Sequence, residues 1–402
     1  MRKLLTLTAL SLALGATAQA PADSVATDSV KGFIFTDVIS IPTTSVKNQN
    51  KSGTCWCFSG TSMIEEAILK AGGDSLDLSE MFTVRQCYLD KARRLVRMQG
   101  QANFSQGGGL LDVPYVMERY GAMPESVYTG LNYGETKHDH SELEKVLTAY
   151  MKAIGASSKV TPAWEVGLNG ILDAYFGKVP ETFTVNGKTY TPKSYAESLP
   201  VNPKNFIPIT SFTHHPFYEP FVLELCDNWL FGQYYNVPVE EMKAIVDNAL
   251  ANGYTINWAA DVSEKGFKWK EGYAVLPDKK SEADLEGTEL SRWVALSDAD
   301  REKERFNFSG PKDLKEMKVT QELRQEMFDN HDTTDDHGMV IVGTATDQLG
   351  NKYYKVKNSW DTDQVYNGYF YVSEPYFLAK TMSVMVDKNG MPKDIKKKLN
   401  IK

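Results

Sequence analysis

Residues 47–73 do most to restrict what this chain can become. Lys47-Asn48-Gln49-Asn50-Lys51-Ser52-Gly53-Thr54 is a polar, Gly-containing loop, and Cys55-Trp56-Cys57-Phe58-Ser59 follows it directly. Beyond Cys55 the apolar residues Ile64, Ala67 and Ile68 recur at helical spacing until Gly72-Gly73 ends the run, with Thr54 as the expected N-cap. A loop that delivers a cysteine to a helix start places its sulfur at the positive end of the helix dipole, where thiolate is favoured over thiol. Such a thiolate can attack a carbonyl if a base orients it and donors hold the oxyanion. Gln49 is spaced to supply one donor from its side-chain amide, and the backbone N–H of Cys55 a second.

The partners of such a thiolate stand near the other end of the chain. His337 lies in Asp335-Asp336-His337-Gly338-Met339, before the apolar run Val340-Ile341-Val342. Asn358 closes the run Tyr353–Lys357 and precedes Ser359 and Trp360. An Asn carbonyl accepts the imidazole N–H and holds the ring, so the expected resting nucleophile is an imidazolium–thiolate pair. Trp360 reads as core or as a lid over the His337–Asn358 hydrogen bond. Cys57, two residues from Cys55, points to another helix face and reads as packing, as Cys87 and Cys226 read as core. Four cysteines are too few for a disulfide scaffold and too scattered for a zinc cluster. His138, His140, His214 and His215 read as surface or packing residues, so no metal and no cofactor is expected.

The remaining pattern is helices early and strands late, an α+β chain. Further helices are expected from Ser79, over about Leu111–Arg119, and from Pro238 to Asn252-Gly253. Strands are expected at Tyr254–Ala259, Met339–Gly343, Tyr353–Asn358 and Tyr369–Val372. Residues 125–235 read as irregular and 279–290 as a charged surface loop. Arg2 and Lys3, the uncharged run Leu4–Leu14 and the small residues Ala16-Thr17-Ala18 have the layout of a secretory signal peptide. Residues 1–18 are therefore expected to be removed on export, and 19–35 to form a flexible leader. No later run approaches a transmembrane length. With 52 acidic and 44 basic residues the chain carries a formal charge of −8, which argues against binding phosphate backbones. Neither a nucleic-acid nor a membrane partner is expected.

Taken together, residues 49–59, Asp336-His337-Gly338 and Lys357-Asn358-Ser359-Trp360 resemble the papain superfamily of cysteine peptidases. Leu78-Ser79, Tyr88-Leu89-Asp90-Lys91, Gly108-Gly109 with Asp112, Tyr120–Tyr128 and Val384–Lys388 are similar to its bleomycin hydrolase and aminopeptidase C branch. The likeness covers roughly residues 38–130 and 235–392. The interval from Cys55 to His337 is about twice the 130–150 residues usual in papain-like enzymes, which places a large insertion mainly at 125–235.

The resemblance implies a papain-like α+β fold over 36–402: a helical lobe with Cys55 mainly at 45–130, the insertion, a β-barrel lobe at about 236–390 and a short basic tail at 391–402. It implies catalysis by Cys55, His337, Asn358 and Gln49, and a substrate backbone lying along Gly108 and Gly109 with Trp360 beside the histidine. The implied activity is hydrolysis of peptides, as an aminopeptidase and in homo-hexamers. In that branch a C-terminal arm places the terminal carboxylate where the substrate's amino group binds. Here only ten residues follow Pro392, Lys396-Lys397-Lys398 among them reading as a solvated end, so an endopeptidase is the alternative expectation. An inactive binding module and an acyl transferase on the same triad are the rivals of other classes.

Overall fold

The computed structural model describes residues 32–279 and 285–402. The expected signal peptide, residues 19–31 of the leader and residues 280–284 of the charged loop lie outside the described residues. Six helices make the first lobe: α1 (Cys55–Lys70), α2 (Glu80–Arg97), α3 (Asp112–Arg119), α4 (Ser141–Gly155), α5 (Ala163–Phe176) and the short α6 (Pro192–Ser198). Ser79 caps α2, accepting the Phe82 N–H at 3.1 Å. Thr54 does not cap α1 as expected. Its hydroxyl is taken by Ser52 Oγ at 2.7 Å, and its carbonyl accepts the Cys57 N–H instead.

Residues 125–235 are not irregular. Helices α4 and α5 each present one narrow apolar stripe, Leu143/Leu147/Met151 and Leu168/Leu172/Phe176, at spacing i, i+4, i+8. Those stripes join the core of α1 and α2. Ion pairs from α2, Arg85 to Asp173 at 2.5 Å and Arg93 to Glu165, pin α5 on it. The segment between the catalytic candidates is thus largely an extension of the helical lobe.

The strands are β1 (Thr36–Ser40), a hairpin β2 (Phe183–Val185) and β3 (Lys188–Tyr190), β4 (Phe206–Thr210), β5 (Pro220–Val222), β6 (Gln233–Asn236), β7 (Ile256–Ala260), β8 (Phe267–Lys268), β9 (Tyr273–Ala274), β10 (His337–Thr346), β11 (Lys352–Lys357), β12 (Tyr369–Ser373) and β13 (Thr381–Asp387). All but the hairpin form one mixed sheet in the order β5-β6-β4-β13-β7-β10-β11-β12-β9-β8, with β1 beside β10. Helices α7 (Val239–Ala251), α8 (Gly287–Ala295), α9 (Asp298–Arg305), α10 (Gln321–Asp329), α11 (Glu374–Lys380) and α12 (Lys393–Lys398) accompany the sheet. The central strands are buried on both faces, every residue of β7 and nine of ten in β10, which is why they read as continuous apolar runs. Among the described residues no helix is long and apolar enough to cross a membrane.

Helix α1 packs on β10, so the cysteine-bearing helix meets the histidine-bearing strand directly. Gly338 permits this approach. A Cβ there would stand 2.7 Å from Ser59 Oγ and 3.1 Å from Trp56 Cα.

Three expectations about chain segments are corrected. Residues 32–35 are not a free leader: Gly32 N–H donates to Ser309 O at 2.7 Å, and Phe33 and Phe35 pack against Tyr273, Tyr353 and Tyr371. The expected loop 279–290 gives way to α8 at Gly287. The basic tail is solvated at Lys397 and Lys398 but is not a free end, because Met391, Ile395 and Leu399 are buried in the strand-lobe core and Lys398 Nζ reaches Glu241 Oε1 of α7 at 2.6 Å.

Candidate active site

Six of the seven residues singled out from sequence line a single cleft between the lobes: Gln49, Cys55, Gly108, Gly109, His337 and Trp360. Its open volume is about 190 Å³. The seventh, Asn358, stands behind His337, its Oδ1 2.7 Å from the imidazole Nε2. The same oxygen accepts the Ser359 backbone N–H at 2.8 Å, which fixes the amide's orientation. An oxygen facing Nε2 requires the imidazole proton there and leaves Nδ1 as an acceptor. Trp360 covers this hydrogen bond, its ring centroid 4.5 Å from that of His337, with Trp269 and Phe267 edge-on behind it.

Cys55 is the first residue of α1, where the helix leaves backbone N–H groups without intrahelical partners. Burial nevertheless pushes its thiol up to about 11, against the pull of the Gly338 and Trp56 backbone N–H groups. Burial also pushes His337 down to about 4, although Asn358 and Asp336 favour its cation. The expected imidazolium–thiolate pair is therefore not the favoured state of the unliganded site. Desolvation favours the neutral form on each side.

Gln49 is locked on both ends of its amide. Oε1 accepts from Ser359 Oγ at 2.7 Å, and Nε2 donates to Ser52 O at 2.8 Å. One amide hydrogen remains for the cleft. The loop carrying it is tied down by Lys47, whose ammonium meets Glu65 at 3.0 Å, Glu80 at 2.7 Å and Asp77 at 2.7 Å. These carboxylates hold the Lys47 ammonium well above its ordinary range although burial pulls it down.

Opposite, Gly107–Gly109 forms a cleft wall. A Cβ on Gly108 would come 2.8 Å from the Trp56 ring, whereas one on Gly109 would make only ordinary contact, 3.4 Å from Tyr234 OH. The wall is fixed from below: Lys91 Nζ donates to Ser105 O at 3.1 Å and to Gly107 O, and Asp112 accepts from Trp229 Nε1 at 2.7 Å. Gln106 anchors the opposite side, accepting the Gly53 N–H at 2.6 Å and the Trp56 indole N–H at 2.9 Å.

Sequence reasoning missed Asp227, Tyr234, Asp335 and Ser383, all of which line the cleft. Asp335 carried a weak signal as neighbour of Asp336-His337; the others sit in segments without motif. Cys57 and Cys87 are buried as expected, whereas Cys226 is exposed rather than core; all four cysteines are free thiols. His138 and His140 pack against Phe58 and Phe176. His214 and His215 share a carboxylate, since Glu224 bridges their Nε2 atoms at 3.1 and 3.0 Å.

A family model described as papain family cysteine protease matches residues 37–163, and one described as peptidase C1-like family matches 298–402. Aminopeptidase C of Lactobacillus delbrueckii subsp. lactis is 23% identical over 405 residues, spanning 89% of this chain and 83% of that protein. Cysteine proteinase 1, mitochondrial, of Saccharomyces cerevisiae is 24% identical over 422 residues, spanning 91% and 79%. The crystal structure of PepW from Lactobacillus rhamnosis HN001 superposes with a TM-score of 0.66 at 18% identity, covering 91% of this chain and 84% of that one. Fold, cleft and sequence relationship agree: they support the papain superfamily of cysteine peptidases, in the branch that holds the aminopeptidase C proteins.

Proposed function

We propose that the chain is an aminopeptidase that uses Cys55 as nucleophile and releases residues from the N-terminus of peptides. The observation that carries the reading is the convergence of Cys55, the Asn358-held His337 and the Ser359-held Gln49 on one cleft walled by glycines. Peptide bound along Gly107–Gly109 presents its carbonyl to Cys55. His337 Nδ1 takes the thiol proton as sulfur bonds to the carbonyl carbon. The amide hydrogen of Gln49 and the Cys55 N–H hold the oxyanion, and the imidazolium protonates the departing amine. Water, activated by the now neutral His337, then displaces the sulfur and releases the acid. The choice of an aminopeptidase follows the relatives named aminopeptidase C.

The test compares an aminoacyl arylamide bearing a free amine with its N-acetylated form. Faster cleavage of the free amine is expected, and equal cleavage of both would overturn the aminopeptidase reading. The reading also includes export, supported by the Arg2-Lys3, Leu4–Leu14, Ala16-Thr17-Ala18 pattern. N-terminal sequencing of protein from expressing cells should find a start near Gln19 or Pro21, and recovery of only the Met1 form inside the cell would contradict it. Self-assembly, suggested by the resemblance alone, is tested by light scattering: a hexamer mass supports it and a monomer mass does not.

A further inference from the structure

The cleft is lined by three aspartates and by no lysine or arginine among the described residues. Asp336 is occupied: its carboxylate accepts the N–H groups of Val262 and Ser263 at 3.2 and 3.1 Å and the Thr334 hydroxyl at 2.8 Å. Asp335 and Asp227 differ. Asp335 makes no hydrogen bond or ion pair among the described residues. Asp227 accepts from Asn103 Nδ2 at 3.0 Å through Oδ1 only, which leaves Oδ2 beside Gly107. A second, independent observation points the same way. Ser383 Oγ lines the cleft, is buried with 1% of its surface exposed, and lies near the Tyr234 hydroxyl without making a well-formed hydrogen bond among the described residues. A buried hydroxyl and two uncompensated carboxylates in one cleft form an incomplete site that a hydrogen-bond-donating cation completes.

We propose that Asp227 and Asp335 receive the free α-ammonium group of the peptide substrate, with Ser383 Oγ as a further acceptor. The proposal rests on the aminopeptidase reading and names the residues that confer it. A substrate chain that follows Gly107–Gly109 toward Cys55 brings its first amine to this wall, one residue back from the scissile carbonyl. The carboxylates favour the charged amine there, and an acetyl cap removes both the charge and the donors. In keeping with this, burial and the Asp227 charge push the Asp335 carboxyl up to about 7, and a bound ammonium relieves both. The clamp is internal to the cleft: Ile395 and Leu399 seat the C-terminal helix in the strand-lobe core, and no residue of 391–402 lines the cleft.

The experiment measures kcat/KM for a free-amine arylamide and for its acetylated form, in the wild type and in Asp335→Asn, Asp227→Asn and the double variant. Folding is checked by circular dichroism. The free-amine preference should fall by about 30-fold, chiefly through KM, because the ammonium loses a desolvated charge partner. A preference kept in both variants overturns the clamp while leaving the aminopeptidase reading intact. A wild type without preference overturns both. Equal losses on both substrates, or an effect confined to Lys and Arg side chains, also overturn the clamp. If a variant does not fold, the wild type supplies the decision: butylammonium should inhibit free-amine hydrolysis competitively, and its failure to do so contradicts the proposal.

Discussion

Lys357 Nζ lies 3.2 Å from Glu66 Oε1, both side chains nearly inaccessible, and this pair joins the strand that leads into Asn358 to the helix that begins at Cys55. The ammonium also donates to Ser62 Oγ at 2.8 Å and Thr44 Oγ1 at 3.1 Å. The pair therefore registers one lobe's contribution to the site against the other's. Removing one partner leaves a buried charge uncompensated, so Lys357→Met should destabilise the protein by about 3–5 kcal/mol. The double variant Lys357→Met/Glu66→Gln should recover most of that. Denaturant unfolding of the wild type, Lys357→Met, Glu66→Gln and the double variant checks it; additive losses would contradict it.

Ser359→Ala should act through Gln49. It removes the hydroxyl that holds Gln49 Oε1 and frees the amide to turn away from the cleft. Gln49→Ala should lower kcat by about 100-fold, as for loss of one oxyanion donor, and Ser359→Ala by a smaller factor. The combination should be no worse than Gln49→Ala alone. Steady-state kinetics of the three variants decides, and multiplicative losses would show that Ser359 acts elsewhere.

The pH profile follows from the environment of the histidine. His337 lies beside Asn358, Trp360 and Asp336 and shares the cleft with Cys55, and burial pulls its imidazolium down to about 4. The base must be neutral to take the thiol proton, so activity is lost as pH falls through that value. The acid limb of kcat/KM on an acetylated substrate should lie nearer pH 4 than the ordinary 6.5. With a free-amine substrate a further rise near pH 7 should appear as Asp335 ionises. An acid limb at 6.5 on the acetylated substrate would contradict this account.

The C-terminal helix is a structural anchor. Leu399 is 3% exposed within the strand-lobe core. Leu399→Ala should cost about 2–5 kcal/mol of stability, seen as a lowered unfolding midpoint, with the free-amine preference unchanged in the folded protein.

The catalytic candidates were legible because each stands at the end of an element whose period is plain. Cys55 opens a helix, His337 opens the apolar strand β10, and Asn358 follows β11. Lys91 and Asp112 were visible only as matched letters; the structure gives their reason, which is to hold the glycine wall. Helices α4 and α5 were missed because a single stripe of three apolar residues, diluted by Lys, Glu and Gly, is too thin for a confident period. The tail misled because Lys396-Lys397-Lys398 dominates its composition, whereas Ile395 and Leu399, four apart, decide its packing. Asp227 and Ser383 could not be found from spacing, since they reach the cleft only through the tertiary fold.

The most direct test of the account is the digestion of a defined decapeptide with a free N-terminus by the wild type and by Cys55→Ala, each shown to be folded by circular dichroism and followed by mass spectrometry. The wild type should produce a ladder of peptides shortened one residue at a time from the N-terminus, and Cys55→Ala should leave the decapeptide intact. The same ladder from Cys55→Ala would contradict the assignment of Cys55 as nucleophile.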